Sequence, residues 1–244
     1  MKSINLSPYF NALLLVTVFL LGIWVQSSGF VEQFVYYWDE ILYLSGHHIK
    51  LTLISGSIAI LVGVPVGIIL SRPSCRKSAD VVMQIFNIGT TVPTLAVLAL
   101  SMSFLGIGDK PAVFALAFAS VLPILRNTYT GLLSVPAHLK ETATGIGLTP
   151  AQQLVKVELP NAMYVIMAGI RTAFAINIGT VPLAFQIGGT GLGELIFAGI
   201  DLYDTPMMLA GAIPTAVLAL IMDVILGMVT FLIVSKGVNP NRNE

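Results

Sequence analysis

The stretch LTLISGSIAILVGVPVGIILS, residues 51–71, contains 21 consecutive residues without a charged side chain and lies between Lys50 and Arg72. A helix that crosses a bilayer needs about 20 mostly apolar residues, so this stretch is long enough to span. Five further stretches come close to the same length: residues 9–27, 81–105, 112–133, 161–185 and 207–234. The sequence therefore predicts an all-α, polytopic membrane protein with about six transmembrane helices.

The composition excludes several classes of protein. Hydrophobic residues make up 56% of the 244 positions and charged residues only 10%, with a mean hydropathy of +0.89, whereas soluble domains carry roughly a quarter charged residues. The formal net charge of zero supplies no basic surface for phosphates and predicts no nucleic-acid partner. One cysteine, Cys75, and three histidines without ligand spacing predict neither an internal disulfide nor a metal site.

The positively charged residues orient the predicted spans, because short loops rich in lysine and arginine stay in the cytoplasm. Nine such residues fall on one predicted side: Lys2, Arg72, Arg76, Lys77, Arg126, Lys140, Lys156, Lys236 and Arg242. The other side has only Lys50 and Lys110, among several acidic residues. We therefore expect a multi-pass protein in membrane lipid with both termini in the cytoplasm.

The first predicted span, residues 9–27, allows two interpretations. Lys2, the apolar run 12–25 and the small-residue site Val25-Gln26-Ser27 would also suit a cleaved signal peptide. We prefer an uncleaved anchor, since a multispan protein needs no cleavage to insert. The aromatic segment 31–46 that follows is expected to lie at the membrane interface.

The longest predicted cytoplasmic connection, residues 134–160, is expected to form two short helices at the membrane face. Pro136 can open the first helix and Gly147 can end it. The side chains of Glu141, Lys156 and Glu158 are then available to a polar partner. The connection is interpreted as a docking surface.

The second of these helices has a clear start signal. Thr149 is the predicted N-cap, with Pro150 at the first helical position and Gln152 where a capping box needs it. This helix is predicted to reach Val157 and to be stopped by Pro160. Two helices joined by an elbow are the expected result.

The order Glu141-Thr142-Ala143, Gly147 and Val157-Glu158-Leu159-Pro160 resembles the Glu-Ala-Ala loop of bacterial binding-protein-dependent ABC importers. The family pattern is Glu-Ala-Ala-x3-Gly-x9-Ile-x-Leu-Pro, from which this chain departs at Thr142 and Val157. The resemblance implies a type I ABC importer permease fold in the bacterial cytoplasmic (inner) membrane, with an elbow that inserts into a separate ATPase. The implied ATPase-coupling residues are Glu141, Thr142, Ala143, Gly147, Leu159 and Pro160, of which Glu141 would dock and Gly147 would form the turn.

Further motifs look like the osmoprotectant branch of these permeases. They are Leu51-Thr52-Leu53, Thr91-Val92-Pro93-Thr94-Leu95-Ala96, Leu105-Gly106-Ile107-Gly108, Leu122-Pro123-Ile124-Leu125-Arg126-Asn127-Thr128, Ala168-Gly169-Ile170-Arg171-Thr172-Ala173 and Ile187-Gly188-Gly189-Thr190-Gly191-Leu192-Gly193. This resemblance implies uptake of glycine betaine, choline or carnitine delivered by an extracytoplasmic solute-binding protein. It also implies two ATP-binding subunits and a second permease, identical or homologous. No cofactor is expected in this chain, because ATP and Mg would be bound by the partner ATPase.

The chain is expected to divide into three parts. Residues 1–50 are predicted to form an N-terminal transmembrane anchor and an interfacial segment. Residues 51–235 form the expected ABC importer transmembrane core, including the coupling loop 134–160, and residues 236–244 a cytoplasmic tail.

Two ionisable residues lie deep within the predicted spans. Arg171 is eleven residues past Pro160, and Asp223 is twelve before Ser235, so both lie roughly 16 to 18 Å from the cytoplasmic ends of their spans. An intramembrane charge usually finds a partner, and we expect an ion pair that locks the fifth and sixth spans. Other polar or proline positions could line a pathway or join helices by hydrogen bonds: Thr90, Thr91, Pro93, Asn127, Asn177 and Thr180.

Three other functions stay open as alternatives. A self-sufficient secondary transporter or channel would need no docking loop, and an ABC permease could carry another solute such as an amino acid or methionine. A membrane-embedded enzyme is disfavoured, because no nucleophile–base or metal constellation is found at a span end, and no catalytic residue is assigned.

Overall fold

The computed structural model describes residues 7–27 and 30–238, and within them the chain is helical and contains no strand. The predicted all-α class is therefore confirmed. The α-helices are, in chain order, α1 (Ser7–Ser27), α2 (Phe30–Tyr36), α3 (Trp38–Leu70), α4 (Arg76–Thr91), α5 (Thr94–Leu105), α6 (Asp109–Leu133), α7 (Ala137–Gly145), α8 (Pro150–Gln153), α9 (Leu159–Thr180), α10 (Gly193–Asp201) and α11 (Thr205–Ile233).

Several of these elements are long and apolar enough to cross a membrane. Among the described residues there are four: α3, α6, the helical run 150–187, and α11. The bent pair α4 and α5 raises the number to five if it forms one span. Helix α1, with 21 residues, coincides with the first predicted span, and several of its side chains lie outside the described residues. The prediction of about six spans agrees with this arrangement only approximately.

Helix α3 is longer than the span predicted at 51–71, since it begins at Trp38 and contains 33 residues. The segment 38–50 has no proline to stop a helix, so the helix continues through it. The expected interfacial segment is thus α2 together with the first turns of α3. The predicted boundary between residues 50 and 51 falls inside one continuous helix.

The third predicted span, residues 81–105, is broken into α4 and α5 at Pro93. The two helical segments 78–89 and 94–105 meet at an angle of 95°. Val92, the residue before the proline, has an extended backbone with φ −74° and ψ 123°, because proline disfavours a helical conformation in the preceding residue. This element is either a broken span or a re-entrant loop.

The centre of the fold is a close packing of α3, α6 and α9. A Cβ atom on Gly67 of α3 would lie 2.7 Å from the Cβ of Thr128 in α6. A Cβ atom on Gly169 of α9 would lie 2.5 Å from the Cβ of Asn127 in α6. Glycine at these two positions lets the backbones approach, as is common for helices that pack within a membrane.

The end of the fold opposite the α7–α8 connection is formed by the segment that follows α9. A 3₁₀ helix, Val181–Ile187, ends in a left-handed glycine, Gly188, with φ +77°. The Gly108 N–H donates to the Ile187 carbonyl at 2.8 Å, and the Thr190 N–H to the Asp109 carboxylate at 3.0 Å. This segment is thereby fixed to the start of α6.

Candidate coupling loop and intramembrane polar site

The predicted elbow is present between α7 and α8. Gly147 has φ +82°, a left-handed conformation that favours glycine. Its N–H donates to the Thr144 carbonyl at 3.0 Å, and the Leu148 N–H donates to the Ala143 carbonyl at 3.0 Å. These two bonds satisfy carbonyls at the end of α7 in the pattern of a Schellman motif.

The start of α8 has the capping box that the sequence predicts. The Gln152 N–H donates to Thr149 Oγ1 at 3.4 Å, and the Thr149 N–H donates to Gln152 Oε1 at 3.0 Å. Pro150 occupies the first turn, where its missing N–H costs nothing. The elbow is therefore held by hydrogen bonds among its own residues.

The implied coupling residues divide into an exposed set and an anchoring set. Glu141, Thr142 and Gly147 are exposed, while Ala143 is buried. Leu159 is half-buried and packs against the main hydrophobic core. The exposed residues offer a surface to a partner, and the buried ones attach the loop to the bundle.

Pro160 does not end a helix, contrary to the prediction. The chain passes from α8 through a π turn, Leu154–Glu158, directly into α9. The Leu159 N–H donates to the Leu154 carbonyl, five residues back, and the wider turn accommodates a proline that cannot donate within the helix. The elbow is thus continuous with the span that follows it.

Glu158 is not available to a polar partner, again contrary to the prediction. It is only 4% exposed and forms an ion pair with Arg72, just past the end of α3. The Gln153 side-chain amide donates to its other carboxylate oxygen at 3.3 Å. Arg72 also donates to Ser71 Oγ at 2.9 Å. Sequence reasoning missed this pair, because its members are 86 residues apart.

A second contact fixes the other arm of the elbow. Lys140 Nζ, on α7, donates to the Leu132 carbonyl near the end of α6 at 3.0 Å. A cavity of about 660 Å³ lies between the two contacts, with Tyr129 and Pro150 among its lining residues. The elbow is therefore attached to both α3 and α6.

Arg171 and Asp223 are brought together between α9 and α11. Arg171 Nη2 donates to Oδ1 and to Oδ2 of Asp223, both at 2.8 Å, and Nε donates to Oδ1 at 3.1 Å. The guanidinium lies over Gly227, which leaves room for it. The side chains are 38% and 50% exposed, so the pair lies on the surface of this chain.

Asn177 joins helices inside the bundle instead of lining an open pathway. It is 1% exposed, and its Nδ2 donates to Ser55 Oγ at 2.8 Å and to Ser120 Oγ at 3.1 Å. These bonds connect α9 with α3 and α6. Ser55 and Ser120 were missed by sequence reasoning, because nothing in either helix alone marks them as partners.

The remaining polar positions differ in how far they are buried within the protein. Thr91 and Pro93 are exposed at the α4–α5 break, where Thr91 Oγ1 donates to the Ile88 carbonyl at 2.7 Å. Asn127 is half-buried against Gly169, and Thr180 is half-buried with its hydroxyl on the Ile176 carbonyl at 2.9 Å. The side chain of Thr90 lies outside the described residues.

The end of the molecule away from the elbow has its own polar contact. The Tyr37 hydroxyl donates to Asp204 Oδ2 at 3.5 Å. Burial and the neighbouring Asp204 carboxylate raise the pKa of Tyr37, so the phenol stays protonated and able to donate. Asp204 also caps α11 by accepting from the Met207 N–H at 3.0 Å. In the part of the chain described, no three histidine, cysteine or acidic side chains are placed to hold a metal.

Comparison with known proteins places these features in context. Residues 63–233 match the family described as "Binding-protein-dependent transport system inner membrane component". This range contains the elbow, the π turn and the Arg171–Asp223 pair.

Two curated proteins and one solved structure are similar to this chain over most of its length. The osmoprotectant import permease protein OsmY of Salmonella typhimurium is 53% identical over 214 residues, 88% of each chain. The glycine betaine/carnitine/choline transport system permease protein OpuCB of Bacillus subtilis is 45% identical and covers 81% of this chain and 90% of its own. A structure of the MetNI methionine ABC transporter in an inward-facing conformation aligns with a TM-score of 0.73 at 22% identity, over 80% of this chain and 96% of that one. At 22% identity, the similarity to this methionine transporter shows the fold alone.

Proposed function

This chain belongs to the family of inner membrane components of binding-protein-dependent transport systems, and from this membership we propose that it is the permease subunit of an ATP-driven importer of quaternary ammonium osmoprotectants. It is a multi-pass membrane protein with the fold of an ABC importer permease.

The elbow is the observation that carries the proposal. A short helix, a left-handed glycine and a capped second helix present Glu141, Thr142 and Gly147 on an exposed surface. An isolated channel or secondary transporter has no use for a rigid loop of this kind. We assign it to a cleft in a separate ATPase subunit, which closes on nucleotide and moves the elbow.

Because ATP hydrolysis is assigned to a separate subunit, this chain requires several partners. Two ATP-binding subunits bind ATP and Mg and hydrolyse the nucleotide, and this chain contributes no cofactor site. A second permease, identical or homologous, completes the translocation pathway, and an extracytoplasmic binding protein delivers the solute. The elbow then lies on the cytoplasmic side of the inner membrane, with both chain termini on that side, as the distribution of lysine and arginine indicates.

The solute is assigned from the relatives. OsmY is named for osmoprotectant import, and OpuCB for glycine betaine, carnitine and choline transport. Identities of 45% or more over four fifths of this chain support the same class of solute here. The methionine transporter is less similar, at 22% identity, and supports no solute assignment.

Reconstitution tests the proposal directly. The chain is purified with its ATPase partner, placed in proteoliposomes with ATP inside and the binding protein outside, and assayed for uptake of labelled glycine betaine, carnitine and choline. We expect uptake that requires ATP and the binding protein and that methionine does not inhibit. Uptake driven by an ion gradient without ATP would identify a secondary transporter, and inhibition by methionine would identify an amino-acid permease.

A further inference from the structure

The Arg171–Asp223 pair is exposed on α9 and α11, roughly 16 to 18 Å from the predicted cytoplasmic ends of these spans. Its side chains are 38% and 50% exposed, whereas Ser55, Ser120 and Asn177, the polar residues at the centre of the bundle, are at most 1% exposed. A charged side chain at the middle of a bilayer faces protein or water. The surface that contains this pair is therefore unlike a lipid-facing surface.

An open space surrounds the pair. A cavity of about 420 Å³ is lined by Ala168, Arg171, Thr172, Ala175, Ile176 and Asp223. Its floor on α9 consists mainly of short, exposed side chains, on the side of the helix opposite the buried Asn177. A solute could lie there without displacing a large side chain.

This cavity is next to the break in the third span. A second cavity of about 230 Å³ is lined by Val92, Thr94 and Phe118 among others, and it shares Ile176 with the first. The shared residue makes the two cavities neighbours along one surface of the molecule. That surface therefore extends from the α4–α5 break to the ion pair.

Arg171 and Asp223 can each interact with a further group besides the other member of the pair. Among the described residues Nη1 of Arg171 makes no hydrogen bond, and Oδ2 of Asp223 accepts only one, so it can accept another. A carboxylate can bind the guanidinium in the bidentate way that arginine favours. A quaternary ammonium has no N–H, so it would be attracted to Asp223 by charge alone.

We propose that this surface lines the translocation pathway, and that Arg171 and Asp223 bind the carboxylate and the ammonium of a zwitterionic solute as it passes. The inference rests on the proposed function and adds a site to it. A zwitterion can replace both partners of the pair at once, so neither protein charge is left unpaired. A cation without a carboxylate pairs only with Asp223 and leaves Arg171 without a partner, which makes passage of a zwitterion easier.

Uptake by two variants separates this role from a structural one. In the reconstituted complex, Arg171→Gln should lower uptake of glycine betaine by about tenfold, since a charged hydrogen bond is lost. It should change choline uptake much less, because choline has no carboxylate. Asp223→Asn should lower uptake of both solutes. Glu32→Gln, an exposed carboxylate in α2, serves as the matched control and should change neither.

Thiol labelling tests the pathway surface even where a variant transports poorly. Thr172→Cys and, as control, Ile225→Cys are made in a Cys75→Ser chain, because Ile225 lies about 200° around α11 from Asp223. A charged, membrane-impermeant thiol reagent should label Thr172→Cys, glycine betaine should slow that labelling, and Ile225→Cys should stay unlabelled.

The outcomes that overturn the inference differ from those that overturn the proposed function. If Arg171→Gln lowers betaine and choline uptake equally, or Thr172→Cys does not react, the pair is a structural lock away from the pathway. If the unaltered complex takes up no quaternary ammonium solute, the proposed function is wrong. The labelling of Thr172→Cys still shows in that case whether the surface is accessible to water.

Discussion

Arg72, just past the end of α3, forms an ion pair with Glu158 in the π turn before α9. Glu158 is almost completely buried, so this contact joins the proposed docking loop to the first helix of the central bundle. Movement of the elbow relative to α3 is therefore expected to strain or break this partly buried ion pair.

We expect Glu158→Ala to destabilise the protein and to uncouple ATP hydrolysis from solute uptake. Removing one member of a buried ion pair typically costs about 3 to 5 kcal/mol, because the other charge stays unpaired; since Arg72 is partly exposed, a value near the lower limit is expected. The purified complex should hydrolyse ATP with little uptake. Uptake and ATP hydrolysis per complex, measured on one preparation, give the coupling ratio.

Glu32→Ala is the matched control, since Glu32 is an exposed carboxylate in α2, outside the docking loop. It should leave the coupling ratio unchanged. A Glu158→Ala complex with the coupling ratio of the unaltered protein would show that the ion pair plays no part in coupling.

Gly147→Ala should weaken binding of the ATPase. An alanine at φ +82° is strained by about 1 kcal/mol or more, so the turn relaxes and the two arms of the elbow change their relative angle. Co-purification of the ATPase with a tagged permease measures the effect. Gly145→Ala, at a position with open space and no left-handed backbone, should bind the ATPase normally, and equal losses from both substitutions would contradict the assignment.

Gly169→Ala should disrupt the packing of α6 against α9. The added Cβ would lie 2.5 Å from the Cβ of Asn127 and 2.8 Å from the Pro123 carbonyl oxygen, and a backbone atom cannot rotate away as a side chain can. We expect a loss of about 1 to 3 kcal/mol, read as a lower Tm of the protein in detergent. Gly179→Ala, in the same helix with nothing within 4 Å, should leave Tm nearly unchanged.

Single substitutions of the intramembrane pair should be worse than the double substitution. Arg171→Ala leaves a lone carboxylate in the span and Asp223→Ala a lone guanidinium, whereas the double variant leaves neither. Membrane insertion and Tm should therefore recover in the double variant. A double variant no more stable than the singles would show that the two side chains do not depend on each other.

Local signals in the sequence were enough to predict the elbow. Gly147, Thr149 and Gln152 each act on the backbone within a few residues, and the structure places them as their chemistry requires. The apolar runs also located the long helices, because burial in lipid depends on composition over about 20 residues. Both kinds of signal are local.

The features that the sequence did not reveal depend on distant partners or on compensation. Glu158 reads as a surface residue until Arg72, 86 positions away, is brought beside it. Pro160 reads as a helix stop until a π turn supplies an alternative hydrogen bond. The sequence left two roles open for Asn177, in a pathway or between helices, and its bonds to Ser55 and Ser120 on two other helices could not be read from α9 alone. None of these facts is contained in the neighbouring residues.

The unbroken helical run from residue 150 to residue 187 has a mechanical consequence. It joins the elbow at one end to the Ile187 carbonyl, bonded to Gly108, at the other, and it changes helix type at the π turn Leu154–Glu158 and at the 3₁₀ helix Val181–Ile187. Helices commonly bend at π and 3₁₀ segments, so the α-helical part between these two segments, α9, is expected to move as one unit. Rotation at the elbow would therefore reach the Ile187–Gly108 contact as a bend at the two flanking segments and a displacement of α9 between them.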